Sequence, residues 1–378
     1  MSTEQISVAK LFDGEHWRHN VVVNFCDGVV ESIQPISEVS AEAVAIQNLT
    51  LVPGFIDVQV NGGGGALFNT APTLQTLETM VKAHAGFGST GLLPTVITDS
   101  VIVMQQAADV IASAIASKLP GVLGIHFEGP HLSVPKKGVH PVAHIRPLSP
   151  QELAIYARTD LGIKMVTVAP ENISPAQIRQ LVELGVIVCL GHSNAESAVV
   201  EAAIAAGATG FTHLYNAMSP LTSREPGMVG VALADTNTWC GIIFDGHHVH
   251  PTAAKLALAA KQRGKLIIVT DAMSPVGTAE TEFAFFDGKV TRTGNKLTSE
   301  TGQLAGSVLD MAGAVQYAVN ELDIEQGEAL RMASLYPATF IRRDHCMGRI
   351  APGYRADFAL LNTDGDVVQC WLQGQSFL

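Results

Sequence analysis

The chain has 378 residues, with 23 Lys+Arg against 35 Asp+Glu, a formal charge of −12. Apolar residues make up 47% and charged residues only 15%, which excludes a disordered chain and a coiled coil. The acidic balance excludes a general nucleic-acid binder, whose footprint is basic. Taken alone, it also argues against an anionic ligand.

No apolar run approaches the roughly 18 residues of a membrane span, so no membrane partner is expected. Glu4 interrupts the first residues before an apolar block can form, so no signal peptide is expected. Cys26, Cys189, Cys240, Cys346 and Cys370 are odd in number and include no CxxC pair. That pattern points to thiols in the reducing cytoplasm rather than to a disulfide framework.

Residues 1–50 read as short strands around an Asp27-Gly28 hairpin turn. The texture returns at the far end around Asp364-Gly365. Neither end can build its own core, so 1–50 and 350–378 are expected to meet in one small β-sandwich domain. Between them, 51–349, the pattern changes to apolar strands alternating with helices. Strands are expected at 51–60, 90–98, 122–129, 164–170, 186–193, 209–216, 240–249 and 265–272. Helices are expected at 174–185 and at 194–207, the latter with Asn194 as N-cap and Gly207 just past its end. Strands that are apolar throughout belong to parallel sheets covered on both faces. Eight βα units fit a (β/α)8 TIM-type barrel. Segment 282–297 reads as a hairpin insertion with turns at Asp287-Gly288 and Gly294-Asn295, and helices follow around 306–321 and 326–334.

The polar residues of this central region fall at the C-terminal ends of the expected strands: Glu128, His192, His213, His247, His248 and Asp271. In such barrels the βα loops build the active site at that end. Glu128, His192 and His213 offer one carboxylate and two imidazoles from strands three, five and six, a set suited to Zn²⁺ with an open coordination position. Asp271 ends strand eight, where an aspartate can take a proton from water and deliver it to a leaving nitrogen. His126 alternates with Glu128 and points the same way, which favours a place beneath the metal ligands. Gly62–Gly65 reads as a flexible loop and Lys136-Lys137 as a solvated pair. His131 and His250 receive no role, and His16, His19, His84, His144 and His345 read as structural or surface residues.

PGFID (53–57), HFEGPH (126–131), KKGVH (136–140), GHSNA (191–195), THLYNAM (212–218), REPG (224–227), DGHHV (245–249), VTDA (269–272) and LYPA (335–338) stand in this order. With the closing GRIAPGYRADFALL (348–361), they resemble the amidohydrolase superfamily and, within it, the N-acetylglucosamine-6-phosphate deacetylases. The resemblance implies hydrolysis of the acetamide of N-acetyl-D-glucosamine 6-phosphate, giving D-glucosamine 6-phosphate and acetate. It implies that Glu128, His192 and His213 hold the metal, that Asp271 is the acid/base, and that His140 polarises the acetyl carbonyl. Val139 and His140 then contact the sugar, while Asn216, Ala217 and Arg224 bind phosphate. Asp245, Gly246, His247 and His248, with Leu304, Ala305 and Gly306, match further substrate-contacting segments. Ala305 stands where relatives often carry serine. The resemblance also implies a homodimer, or a tetramer, with Arg224 near the subunit interface and reaching a neighbour's site.

Many superfamily members follow strand one with an HxH pair that holds a second metal. Gln59 and Asn61 occupy those positions here, and neutral amides are poor Zn²⁺ ligands beside imidazole. One divalent metal per subunit is expected, Zn²⁺ first among candidates. The alternatives are an N-acetylgalactosamine-6-phosphate deacetylase, a cyclic-amide hydrolase, or a non-catalytic amino-sugar-phosphate sensor. Arg224, Lys136, Lys137, His140, His247, His248 and a divalent metal make the barrel mouth locally positive. The charge of −12 therefore does not exclude a sugar phosphate.

Overall fold

The computed structural model describes residues 4–39, 46–286 and 288–377. The first strands are β1 (Glu4–Phe12), β2 (Trp17–Cys26), β3 (Val29–Pro35) and β4 (Ile46–Pro53). β2 turns into β3 at Asp27-Gly28, where both residues have positive φ, the conformation that matches a tight hairpin to strand twist. Eight further strands follow: β5 (Phe55–Val60), β6 (Ser89–Ile97), β7 (Gly124–Glu128), β8 (Ile163–Val168), β9 (Ile187–Leu190), β10 (Gly210–Phe211), β11 (Trp239–Ile242) and β12 (Leu266–Ile268). They pair in chain order as one parallel sheet, so each expected barrel strand is present.

The expected run 51–60 divides at Gly54: β4 belongs to the sheet of the chain ends and β5 opens the barrel. A side chain cannot stand at the division, because a Cβ on Gly54 would lie 2.1 Å from Thr90 Oγ1. The barrel then closes between β12 and β5 by a seam rather than a full ladder. Val60 bridges Ala272, and Asp271 N–H donates to the Gln59 carbonyl at 3.0 Å while Asn61 N–H donates to that of Ala272 at 2.8 Å. The buried Asp57 carboxylate adds a side-chain link by accepting from the Thr270 hydroxyl.

The insertion forms a three-stranded antiparallel flap, β13 (Glu282–Phe285), β14 (Gly288–Thr293) and β15 (Lys296–Ser299). Its second turn falls at Gly294-Asn295 as expected, while Asp287 of the first lies outside the described residues. Phe283, Val290 and Leu297 of the flap pack on Leu67, Met273 and Ala305. The chain returns through β16 (Phe358–Leu361), β17 (Val367–Leu372) and β18 (Gln375–Ser376), which join β1 to β4 in one seven-stranded sheet. The small domain is therefore a single continuous ladder, not two separately hydrogen-bonded sheets. β4 and β16 make the join, with Leu51 opposite Leu360, and Val8, Val23, Phe25, Leu51 and Phe358 share its core.

The helix Pro175–Glu183 starts where the sequence places it, capped by Ser174 with a reciprocal Gln177. The next helix corrects an expectation. It spans Ser197–Ala205 with Glu196, not Asn194, at the N-cap. Glu171 holds the preceding segment, accepting from Ser193 Oγ at 2.6 Å and from the Asn194 N–H at 2.8 Å. Gly207 follows the helix with φ of 111°. Helices Met311–Asn320 and Gln326–Ala333 complete the barrel's surround. No helix among the described residues is long and apolar enough to cross a membrane.

Candidate active site

Three polar side chains converge at the C-terminal ends of β7, β9 and β10. Glu128 Oε1 lies 3.1 Å from His192 Nε2 and 3.0 Å from His213 Nε2, and the two imidazole nitrogens are 2.9 Å apart. All three residues are buried. His192 and His213 leave their strands with φ of 47° and 35°, and Asp271 with 53°. Left-handed backbone is uncommon for residues with a side chain and clusters at functional sites. Here it turns each functional group inward at the point where its strand ends.

His192 Nδ1 donates to the Lys136 carbonyl at 2.9 Å, which leaves the Nε2 lone pair directed at Glu128. A carboxylate oxygen and an imidazole lone pair both accept, so at this spacing they repel unless a cation or proton lies between them. The residues present therefore fit a divalent metal. Burial opposes ionisation of Glu128, but the adjoining His192 and His213 rings outweigh it and hold the carboxyl well below its ordinary range. His140 stands near the same cluster, with a nitrogen within 4.8 Å of Glu128 and His192. Its ring centroid lies 4.3 Å from that of His192, against 4.7 Å for His213, and its Nδ1 is 2.9 Å from Thr98 Oγ1. Burial and the neighbouring His192 hold it well below its usual range, hence neutral.

Asp271 faces this cluster from the seam. Its Oδ1 accepts from Asn61 Nδ2 at 2.6 Å and from Gln59 Nε2 at 3.2 Å. The same Gln59 nitrogen lies 3.2 Å from Glu128 Oε1. Gln59 thus ties the acid/base candidate to the carboxylate of the cluster, while Asn61 holds Asp271 alone. Burial and the charge of Glu128 push the Asp271 carboxyl up to about 6.

The cavity over this cluster measures about 170 Å³. Val139, His140, Asn216, Ala217, His248, Leu304 and Gly306 line it with Glu128, His192, His213 and Asp271. Gly306 tolerates no side chain: its φ is 63° and a Cβ would meet Met273 Cγ at 2.5 Å. Asp245, Gly246, His247, Ala305 and Arg224 do not line this cavity. Asp245 Oδ1 accepts the N–H groups of His247 and His248, and Oδ2 meets His248 Nδ1 at 2.6 Å. It therefore orients His248. Ala305 is sealed in the flap core, and Gly246, His247 and Arg224 are exposed. A larger cavity of about 790 Å³ lies behind Asp245, toward Arg292, Asp310 and Tyr317. It contains none of the metal-capable groups, so the chemistry belongs to the smaller one.

Several contributors went unread in the sequence. Thr98 positions His140, and Asp57 anchors Thr270 beside Asp271. Phe285 of the flap and Met273 line the cavity. The PGFID motif contains Asp57 and was the available signal; nothing in the sequence marks Phe285. His126 is buried beneath Glu128, bonded to Thr167 Oγ1 at 2.8 Å and held neutral by burial, down to about 4. The two unassigned histidines have structural tasks. His131 bridges the Arg146 carbonyl and the Tyr156 hydroxyl, and His250 caps the helix Pro251–Ala260.

A parallel eight-stranded barrel with a carboxylate, two imidazoles and an acid/base candidate at its C-terminal mouth defines a barrel hydrolase of the amidohydrolase class. The chain belongs to the Amidohydrolase family, whose model matches residues 50–376. It is 52% identical over 373 residues to the N-acetylgalactosamine-6-phosphate deacetylase of Shewanella sp. (strain ANA-3), covering 97% of this chain and 94% of the relative. It is 35% identical over 353 residues to the N-acetylglucosamine-6-phosphate deacetylase of Haemophilus influenzae (strain ATCC 51907 / DSM 11121 / KW20 / Rd), covering 92% of each. Among solved structures, N-acetylglucosamine-6-phosphate deacetylase from Pasteurella multocida superposes with a TM-score of 0.95 at 35% identity, over 99% of both chains.

Proposed function

We propose that the chain hydrolyses the acetamide of N-acetyl-D-glucosamine 6-phosphate to D-glucosamine 6-phosphate and acetate. The observation that carries this reading is the Glu128–His192–His213 cluster facing Asp271 across one small cavity. The activities named for the relatives support it. Glu128, His192 and His213 would hold one divalent metal, Zn²⁺ first. Bound there, the metal supplies Lewis acidity, polarising the acetyl carbonyl and lowering the pKa of water. Gln59 and Asn61 already donate to Asp271, which supports a single metal.

Asp271 accepts the proton of the attacking water and passes it to the departing nitrogen. The neutral His140 ring lines the cavity with its Nδ1 2.9 Å from Thr98 Oγ1, and in the tautomer with the proton on Nε2 it donates to the developing oxyanion. Val139, Leu304 and Gly306 shape the sugar's surroundings. Asn216, Ala217 and His248, the last oriented by Asp245, receive the phosphate. Arg224 is exposed outside its own cavity, in the same loop as Leu221, itself 57% exposed. That arrangement supports a homodimer in which it completes a neighbour's phosphate site. Five free cysteines support a cytoplasmic setting.

A second reading, the galactosamine epimer as preferred substrate, is favoured by the 52% identity to the Shewanella relative. The epimers differ only at C4, remote from the acetamide, so both use the same chemistry. Metal analysis paired with acetate release on the two sugars tests both readings. One metal per subunit with release from the gluco sugar supports the first, and a higher kcat/KM on the galacto sugar supports the second. Release from neither overturns both.

A further inference from the structure

Asn61 ends β5, is 5% exposed and lines the reaction cavity. The two ends of its amide have unequal surroundings. Nδ2 donates to Asp271 Oδ1 at 2.6 Å, whereas Oδ1 is buried and has no hydrogen-bond partner among the described residues. The orientation is fixed chemically: an ionised carboxylate only accepts, so a reversed amide would set two acceptors face to face. A buried acceptor left unmet is costly, and one beside an acid/base calls for a donor. The other unpartnered atom of the cluster, His213 Nδ1, bears a hydrogen when Nε2 faces Glu128 and cannot play this part.

We infer that Asn61 Oδ1 accepts the N–H of the scissile acetamide and so orients the nitrogen toward Asp271, an inference that rests on the deacetylation proposed above. The chemistry requires such an acceptor. In the substrate the nitrogen lone pair is delocalised into the carbonyl and cannot take a proton. Water attacks the acetyl carbon, its oxygen forming the new C–O bond while Asp271 takes its proton and the carbonyl π pair moves to oxygen. The nitrogen then pyramidalises, and its lone pair must face the protonated Asp271 while its N–H faces elsewhere. An acceptor one amide group away from that acid fixes which way the nitrogen inverts. As the C=O re-forms, the C–N bond breaks and the nitrogen takes the proton from Asp271. Asn61 neither gains nor loses an atom. Ile97, Met273, Phe285 and Leu304, also at the cavity wall, offer no comparable acceptor through their side chains.

The test compares N-acetyl-D-glucosamine 6-phosphate with the 2-O-acetyl ester of D-glucose 6-phosphate, in which oxygen replaces the N–H. Asn61→Ala loosens Asp271 for both substrates, but only the amide loses a hydrogen-bond acceptor. The amide-to-ester ratio of kcat/KM is expected to fall about tenfold to hundredfold below wild type, with metal content and melting temperature retained. An unchanged ratio, whether activity drops equally on both substrates or not at all, overturns the inference. Asn61→Leu, which keeps the branched arrangement of side-chain heavy atoms, gives the same readout if the alanine variant does not fold. Wild type that releases no acetate from either N-acetylhexosamine 6-phosphate refutes the proposed function itself. An active wild type with an unmoved variant ratio refutes only the role of Asn61.

Discussion

The same eight strands end in two different environments. At their C-terminal ends Glu128, His192, His213 and Asp271 crowd together, three of them on left-handed backbone. Toward the other end Ile56, Leu93, Leu123, Met165 and Ile187 pack into an apolar floor. Phe340 and Met347 join it from the segment that follows the last barrel strands. A thin polar layer separates the two: His126, Thr167 and Thr212 are hydrogen-bonded to one another and fully or nearly fully buried. The floor is where burial stabilises the fold. The mouth holds converging acceptors and like charges that oppose folding and make sense only for chemistry. Variants at the two ends should therefore fail in opposite ways.

The largest effect is expected at the mouth. Asp271→Asn keeps the shape and the Gln59 and Asn61 contacts nearby but cannot accept a proton. It should lower kcat about 10²- to 10⁴-fold, the span of general acid–base catalysis. Metal content by atomic absorption and the melting temperature should stay near wild type. Substantial turnover in that variant would remove Asp271 from the chemistry. The converse belongs to the floor. Phe340 packs against Gly210, where an added Cβ would lie 2.9 Å from its ring, and against Trp239 at 5.6 Å between centroids. Phe340→Ala should cost about 3–5 kcal/mol of stability, read by denaturant unfolding, with kcat of the surviving fold unchanged. A large loss of kcat with stability intact would erase the division between the two ends.

That division also explains what was legible in the sequence. Uninterrupted apolar runs mark parallel strands whichever way their side chains point, so all eight barrel strands could be read. Polar residues closing such runs mark the mouth, which is how Glu128, His192, His213 and Asp271 stood out. Contacts made across the seam carry no local signal. Gln59 and Asn61 looked like lost metal positions, yet their amides hold Asp271, a task visible only once β12 lies beside β5. Asp245 sits in a matching motif, and its two oxygens bond His247 and His248, which the motif alone does not reveal. Asn194 has the chemistry of an N-cap, yet Glu171, 23 residues earlier, claims its N–H. Phe285 reaches the cavity from an insertion whose placement depends on packing against Met273 and Ala305.

A smaller effect follows from the raised Asp271 carboxyl. As a base it must be ionised, and burial with the nearby Glu128 charge places its titration at about 6. Below that pH kcat/KM should fall about tenfold per unit, whereas the stability supplied by the apolar floor should show no matching step. In Asp271→Asn the residual activity should lose this acid limb, and a limb that persists unchanged would assign it to another group.

The smallest effect comes from the seam that joins the two ends. Asp57 is buried, its carboxylate accepting from the Thr270 hydroxyl and from the Gln59 N–H at 3.2 Å. Burial nevertheless pushes it from the ordinary 3.8 up to about 7. Between those values the folded chain keeps a proton that the unfolded chain releases. The folded state thus binds more protons, and this group's contribution to stability declines as pH rises from about 4 to 7. Asp57→Asn removes the titration while keeping the size. Other carboxyls contribute slopes of both signs, but they are common to the two proteins and cancel in the comparison. The pH dependence of the melting temperature should therefore tilt toward greater stability at neutral pH in the variant, whatever its absolute level. Parallel curves for the two proteins would mean that Asp57 is ionised throughout, and that the Thr270 contact alone sustains its charge inside the seam.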